Sequence, residues 1–196
     1  MTDPSPRRLL DLLRGDPRTW TAVAFVPADD DTCANAATRA AVLRAILHDP
    51  RPGDHALLRR LVEQEALAHE YGWGLAPALY LATFLLAEHR RVDDAALQWA
   101  ARTANFDTHS GLDLWPLLAG GVTATRASIA ASADPHREEI LDDLARPPYA
   151  EAHDADVERW LTYQRDEYYK VPRPDAPRSD GAHPADARRS DASAGD

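Results

Sequence analysis

Residues 75–89, LAPALYLATFLLAEH, form the segment around which we expect the fold to be built. At about 100° per residue on a helix, its large apolar side chains leave no polar face before Glu88 and His89. A helix that is apolar on all sides is a buried one. Its fifteen residues are fewer than the roughly 20 that a bilayer-spanning helix needs. The segment therefore predicts the central helix of a soluble all-α domain.

The rest of the chain is long enough to surround such a helix once. The whole chain has 196 residues, 44% of them hydrophobic, and this predicts a single helical domain over residues 1–170. Residues 171–196 contain too little apolar surface to fold, so we predict a disordered C-terminal tail.

The composition argues against several classes of partner. The formal charge is −10, and an acidic surface without a basic stripe repels phosphate backbones, so we expect no nucleic-acid partner. We likewise expect no membrane partner and no cofactor. Cys33 is the single cysteine, which leaves no internal disulfide and favours a reducing compartment. The N-terminus is too charged for a signal peptide, and we therefore expect a cytoplasmic protein.

Apolar periodicity and capping residues predict the other helices. We expect helices at 5–14, from about 32 to 48, at 55–70, 94–105, 122–132, 135–146 and 154–170, and one starting near Trp115. Aspartates 29–31 with Thr32 are expected to cap the second helix, and Asp93 the helix at 94–105. A magnesium-binding aspartate cluster is the alternative at 29–31, but no second acidic motif supports it.

Two segments do not fit a helical pattern. Residues 20–26, WTAVAFV, are β-branched and aromatic, yet no convincing partner strand exists, so we interpret them as extended packing. Residues 105–111, NFDTHSG, are rich in polar and turn-forming residues and predict a loop.

The spacing of the predicted helices is that of a helical repeat. Between residues 55 and 113 they start about 19–20 residues apart, so that a helix pair spans about 39 residues. This architecture resembles tetratricopeptide and HEAT-type αα-repeats, and an antiparallel helical bundle is the alternative. The segments HEYGWGLAPALYLATFLLAEHR and ALQWAARTANFDTHSGLDL are also similar to uncharacterised bacterial helical proteins with a Trp-containing helix that ends in Asn-Phe-Asp. That resemblance implies no activity.

Polar residues on the apolar face of the helix at 55–70 give the first site hypothesis. Glu65 and His69 fall inside the arc formed by its leucines and valine, one turn apart. A buried carboxylate needs a partner, and Arg39 lies on the apolar stripe of the preceding helix. We therefore predict a structural buried pair between Arg39 and Glu65.

A second hypothesis collects the polar and aromatic residues near the predicted helix ends into one binding groove. Its candidates are Glu65, His69, Trp73, His89, Asn105, Asp107, His109, Asp113 and Trp115, with Trp99 as a further wall. A Glu-x-x-x-His pair on one helix face can act as acid and base or bind a metal, but no second motif supports a metal. Cys33 follows an acidic triplet that would raise its pKa, which argues against a nucleophile.

These features favour a protein-interaction module of the bacterial cytoplasm, of an immunity-type or regulatory kind, whose partner is another protein. The alternative is a small helical enzyme or metal-binding protein that uses the Glu/His/Asp cluster at the helix ends.

Overall fold

A computed structural model describes residues 5–28 and 32–170. In that part of the chain the fold is all-α, as expected. The predicted disordered tail, residues 171–196, and the three aspartates at 29–31 lie outside the described residues. The helices are α1 Pro6–Gly15, α2 Ala36–His48, α3 His55–Tyr71, α4 Pro77–Ala87, α5 Ala95–Arg102, α6 Phe106–Gly111, α7 Val122–Ala131, α8 Arg137–Leu144 and α9 Asp154–Tyr169.

Helix α4 is the central helix that its apolar sequence predicts. Pro77 stands in its first turn, where the missing N–H leaves no hydrogen bond unmade. Leu79 and every residue from 81 to 87 are buried. The helix packs against α2, α3 and α5, and Tyr80 is its exposed large side chain, whose hydroxyl donates to Gly111 O at 2.5 Å.

Helix α3 is amphipathic in the orientation that the sequence predicts. Its buried residues are Leu57, Leu58, Leu61, Val62, Gln64, Glu65, Ala66 and His69. The other side of the helix carries the partly or fully exposed Arg59, Arg60, Glu63 and Glu70. Because α3 packs against both α4 and α5, its buried polar residues lie between helices rather than at the surface.

Helix α9 covers one side of α4 with aromatic residues. The ring of Tyr168 stacks on Phe84 with centroids 5.1 Å apart, and Trp160 meets the same ring edge-on at 6.2 Å. Burial raises the pKa of Tyr168 to about 12. Arg165 also pairs with Glu88 at 2.7 Å, so that apolar and charged contacts together fix α9 on the end of α4.

The segment before α2 differs from the expectation. Residues 20–26 were expected to be extended, but Pro17–Val23 is a 3-10 helix, started by Pro17 and by the Asp16 carboxylate, which accepts from Arg18 N. Pro27–Ala28 (β1) then pairs antiparallel with Thr32–Cys33 (β2). Proline at a first helical position outweighed the β-propensity of the following residues.

The predicted N-caps of two helices are also wrong. Helix α2 begins at Ala36 with Asn35 at the N-cap position, so residues 29–32 stand too far upstream to cap it. Asp94, not Asp93, occupies the N-cap position of α5. Its carboxylate makes no cap bond and instead binds His55 and Arg59.

Between residues 105 and 119, the predicted loop contains a helix and the predicted helix is not formed. Residues 105–111 contain helix α6, because Asn105 and Thr108 form a reciprocal capping box at its start. The helix expected near Trp115 is a series of turns over 115–120. Its backbone bonds run between residues three apart, as from Leu118 N to Trp115 O at 3.1 Å, and Gly121, at a φ of 106°, ends the segment.

Within residues 5–28 and 32–170, no helix is long and apolar enough to cross a membrane.

Candidate functional site

The structure brings Arg39 of α2 and Glu65 of α3 together as a buried ion pair. Arg39 Nε donates to Glu65 Oε1 at 2.6 Å, and both side chains are almost wholly buried. Burial lowers the pKa of Arg39, but the charge of Glu65 and its hydrogen bond outweigh that effect and raise the pKa overall. Arg39 Nη1 also donates to Cys33 Sγ at 3.2 Å. The pair therefore links α2, α3 and the end of β2.

His69 lies one turn after Glu65 and has both ring nitrogens occupied by the backbone. Nδ1 lies 2.7 Å from Glu65 O, and Nε2 accepts from Ala76 N–H at 3.0 Å. A carbonyl oxygen needs a donor and an amide needs an acceptor, so Nδ1 carries the proton and Nε2 does not. His69 is thus a neutral connector between α3 and the start of α4, without a nitrogen left for acid–base chemistry.

Asn105 fastens the turn between α3 and α4. Its amide nitrogen lies 2.9 Å from His69 O, 3.2 Å from Gly72 O and 3.1 Å from Gly74 O. Its amide oxygen accepts from Thr108 N at 2.8 Å. Carbonyls at a helix C-terminus lack partners within the helix, and one side chain here supplies donors for several of them.

Asp107, in the first turn of α6, binds the same turn. Its Oδ2 accepts from Gly74 N at 2.8 Å. Gly74 has a φ of 87°, in the left-handed region that glycine adopts without a steric penalty. Residues 72–74 are therefore held at both ends by α6.

Two large aromatic side chains are exposed where this turn meets α6, Trp73 on the turn and Phe106 on the helix. Trp73 is 90% exposed and Phe106 is 77% exposed. They belong to two segments that hydrogen-bond each other through Asn105 and Asp107, so they lie on the same part of the surface. Tyr71 and Leu67, one turn apart on α3, are exposed as well. The ring of Tyr71 lies 5.5 Å from that of Phe25. We call Trp73 and Phe106 the aromatic surface.

Replacing Asn105 by aspartate tests how much the hydrogen bonds of its amide group stabilise this turn. Aspartate keeps the cap acceptor for Thr108 N–H but cannot donate to the three carbonyls. We expect the free energy of unfolding in urea to fall by about 1–3 kcal/mol, the usual cost of leaving partly buried polar groups unpaired. Asn35→Asp is the matched control, because the Asn35 amide donates to one carbonyl, Ala24 O at 2.9 Å. Equal losses in the two variants would contradict the special role of Asn105.

His89 does not join the residues around Asn105. Its ring lies 5.3 Å from the ring of His55 at the start of α3. His55 and His69 are fourteen positions apart on that helix, or about 21 Å at 1.5 Å per residue. Burial, followed by the charge of His55, lowers the pKa of His89. His89 thus belongs to a separate polar group with His55 and Asp94.

The remaining groove candidates have other neighbours. Trp99 is buried in the core. Asp113 accepts from Trp160 Nε1 of α9 at 3.3 Å, and Trp115 packs edge-on against Tyr149 with centroids 4.9 Å apart. His109 is exposed, and its backbone oxygen accepts from Arg102. Of the nine groove candidates, the described contacts connect Glu65, His69, Asn105 and Asp107, and Trp73 lies between two residues that Asn105 and Asp107 bind.

Cys33 differs from its expected chemistry. Burial raises the pKa of its thiol, but hydrogen bonds with the backbone of Val26, with Arg39 and with the backbone of Asn35 outweigh this, and the pKa is lowered. The expectation of a raised pKa considered only the aspartates that precede the cysteine. Arg39, six positions further along the chain, donates to the sulfur at 3.2 Å and favours the thiolate. Among the residues that the structure describes, no group of three or more His, Cys, Asp and Glu side chains is placed to hold a metal ion.

Phe106 is the residue of the aromatic surface that sequence reasoning missed most clearly. Its segment was assigned to a loop, in which one phenylalanine carries little information. The Asn-x-x-Thr spacing of Asn105 and Thr108 is a helix-start signal, and it would have placed Phe106 at the exposed first position of α6.

Comparisons of the chain with known protein families, with curated proteins and with solved structures found no match.

Proposed function

We propose that this protein is a protein-interaction module, of an immunity-type or regulatory kind, that works in a bacterial cytoplasm and binds its partner through the aromatic surface. The observation that carries the proposal is the exposure of Trp73, on the turn held by Asn105 and Asp107, and of Phe106, which lies between those two residues at the start of α6. Surface tryptophans usually lie partly against their own protein, whereas Trp73 has most of its ring in water.

Burial of the Trp73 side chain by a partner would give a large gross gain in free energy. A tryptophan buries about 150–250 Å² when it is enclosed, and at about 25 cal/mol per Å² this is a gross gain of roughly 4–6 kcal/mol, from which the ordering and desolvation costs of binding are subtracted. Tryptophan and tyrosine are also the residues most enriched among those that dominate binding energy. A partner that encloses Trp73 could therefore gain much of its affinity from one side chain.

The hydrogen bonds beneath the surface support the same function. Binding costs free energy when loops and side chains must be ordered. The turn at residues 72–74 is already ordered by Asn105 and Asp107. Interaction sites commonly lie on such loops fixed by a rigid scaffold, and here the scaffold is the packed pair α3 and α4.

The finer architecture is part of this proposal. Helices α3, α4 and α5 begin at His55, Pro77 and Ala95, at intervals of about 20 residues, the spacing of αα-repeat or antiparallel-bundle helices. Helix α3 packs against both of the others. In an array of this kind successive turns lie at alternate ends, and the Trp73 turn lies at the end of α3 opposite to His55 and His89.

Trp73→Ala tests the proposal. We expect the variant to melt within about 2 °C of the wild type, since exposed substitutions change stability little, and to lose the protein that the immobilised wild type captures from lysate of the source cells. Tyr163→Ala is the matched control, because Tyr163 is an exposed aromatic residue of α9. It should keep both the stability and the captured protein.

Two results would contradict the proposed function. One is an identical set of captured proteins for wild type and Trp73→Ala. The other is a large loss of stability in Trp73→Ala, which would mean that the ring supports the fold instead of a partner.

A further inference from the structure

The charges around the aromatic surface restrict the kind of protein that can bind there. Glu70 is exposed in the last turn of α3, next to Tyr71, and makes no ion pair within residues 5–28 and 32–170. The C-terminus of a helix is the negative end of its dipole, where cations are favoured and carboxylates disfavoured. Glu70 therefore weakens its own helix. Residues that break a local rule of this kind are expected at functional sites.

The other charges near the turn have the same sign or are already paired. The Asp107 carboxylate lies against Gly74 N at the same turn. Arg102, the cation beside α6, is occupied, because it donates to His109 O and Leu112 O and lies 3.9 Å from Asp143. His69 is neutral because its two nitrogens bind a carbonyl and an amide. The turn thus combines two carboxylates and a helix C-terminus with no described free cation, on a chain whose formal charge is −10.

We infer that the partner presents a basic segment, rich in arginine or lysine, that lays a cationic side chain on the face of Trp73 while neighbouring cations meet Glu70 and Asp107. This inference rests on the proposed function and adds the chemical class of the partner. A cation over an indole face is attracted by the ring quadrupole. Arginine suits such a site best, because its planar guanidinium can stack on the ring and still donate to carboxylates.

A pair of synthetic peptides separates charge from shape. The first is a fluorescein-labelled peptide of alternating arginine and glycine, twelve residues long, and the second has every arginine replaced by citrulline, which is nearly isosteric but neutral. Fluorescence anisotropy with the full-length protein should show binding of the arginine peptide that weakens at least about tenfold between 50 and 500 mM salt, as screened charges require. The citrulline peptide should bind at least tenfold more weakly.

Three variants locate the binding. We expect Trp73→Ala to weaken the binding of the arginine peptide about tenfold or more. Glu70→Gln should weaken this binding about threefold, while the melting temperature of the variant protein stays the same or rises. Tyr163→Ala is the control, because Tyr163 is an exposed aromatic residue of α9 one turn before Asp166, while Glu167 is paired with Lys170 at 2.7 Å. It should bind the peptide like the wild type.

Several outcomes would overturn the basic partner. Equal affinity for the two peptides would show that charge does not select the ligand. Equal weakening by Tyr163→Ala and Trp73→Ala would show that a general acidic surface attracts the peptide. A dimer in sedimentation that Trp73→Ala dissociates would assign the surface to a second copy of this chain.

The failure of this inference can be distinguished from failure of the proposed function. If Trp73→Ala loses a captured protein but Glu70→Gln and salt leave that capture unchanged, the interaction module stands and the basic partner is wrong. If Trp73→Ala changes neither the capture nor the peptide affinity, both are wrong.

Discussion

Glu65→Ala should lower the free energy of unfolding by about 3–5 kcal/mol, the range for removing one partner of a buried ion pair. Glu65 is the carboxylate that lies 2.6 Å from Arg39 Nε, and the Arg39 side chain is fully buried. Without Glu65 the guanidinium keeps its charge, because arginine does not deprotonate in proteins. The charge would then be buried without an anion, and urea or thermal unfolding would measure the loss.

The double variant Arg39→Met with Glu65→Leu should recover much of this loss. Replacing a whole buried pair by apolar residues of similar size is often neutral or stabilising. Glu138→Ala is an exposed control: Glu138 pairs with Arg137 at 3.2 Å, but its side chain is 87% exposed, so we expect a change of less than about 1 kcal/mol. Additive losses from Arg39→Met and Glu65→Leu would show that the two residues do not act as a pair.

The contact between Arg39 and Glu65 could be anticipated because each residue interrupts a strong apolar pattern. On an amphipathic helix the angle of a residue follows from its position alone, and a charge inside the apolar arc must find an opposite charge. The central position of α4 was predictable for a similar reason, since a helix without a polar face is buried on all sides. These are long, strongly periodic segments.

Short elements were not predictable in this way. Helix α6 is six residues long and shows less than two turns of periodicity, so its polar composition suggested a loop. The segment around Trp115 is apolar but short, and Gly121, at a φ of 106°, ends it after six residues. In both places, local capping and backbone geometry decided the structure more than hydrophobicity did.

The candidate groove was only partly predictable because the sequence places residues near helix ends without saying which ends meet. His89 and His69 both lie near such ends. Helix α3 separates their neighbourhoods by most of its length, because His55 at its start contacts His89 and His69 lies in its last turn. The turn at Trp73 and helix α6 are brought together by Asn105, whose contacts are more than thirty positions away in the chain. Contacts of that kind depend on tertiary packing.

Phe84→Ala should cost about 3–5 kcal/mol of unfolding free energy, the range for truncating a buried aromatic residue. Phe84 is 2% exposed in α4 and lies between the core and two rings of α9, Tyr168 and Trp160. Its removal takes away apolar burial and leaves a cavity where α9 meets α4, so near-ultraviolet circular dichroism should show weakened packing of these aromatics. Urea unfolding would give the size of the loss.

Phe106→Ala is the control for that experiment, since it makes the same chemical change at a side chain that is 77% exposed. We expect it to change the unfolding free energy by no more than about 0.5 kcal/mol, as for most surface substitutions. The two phenylalanines thus separate a residue that holds the fold together from one that is available to a partner. A near-neutral Phe84→Ala would show that α4 is not the central helix, and a costly Phe106→Ala would mean that the aromatic surface is part of the packing and not a binding surface.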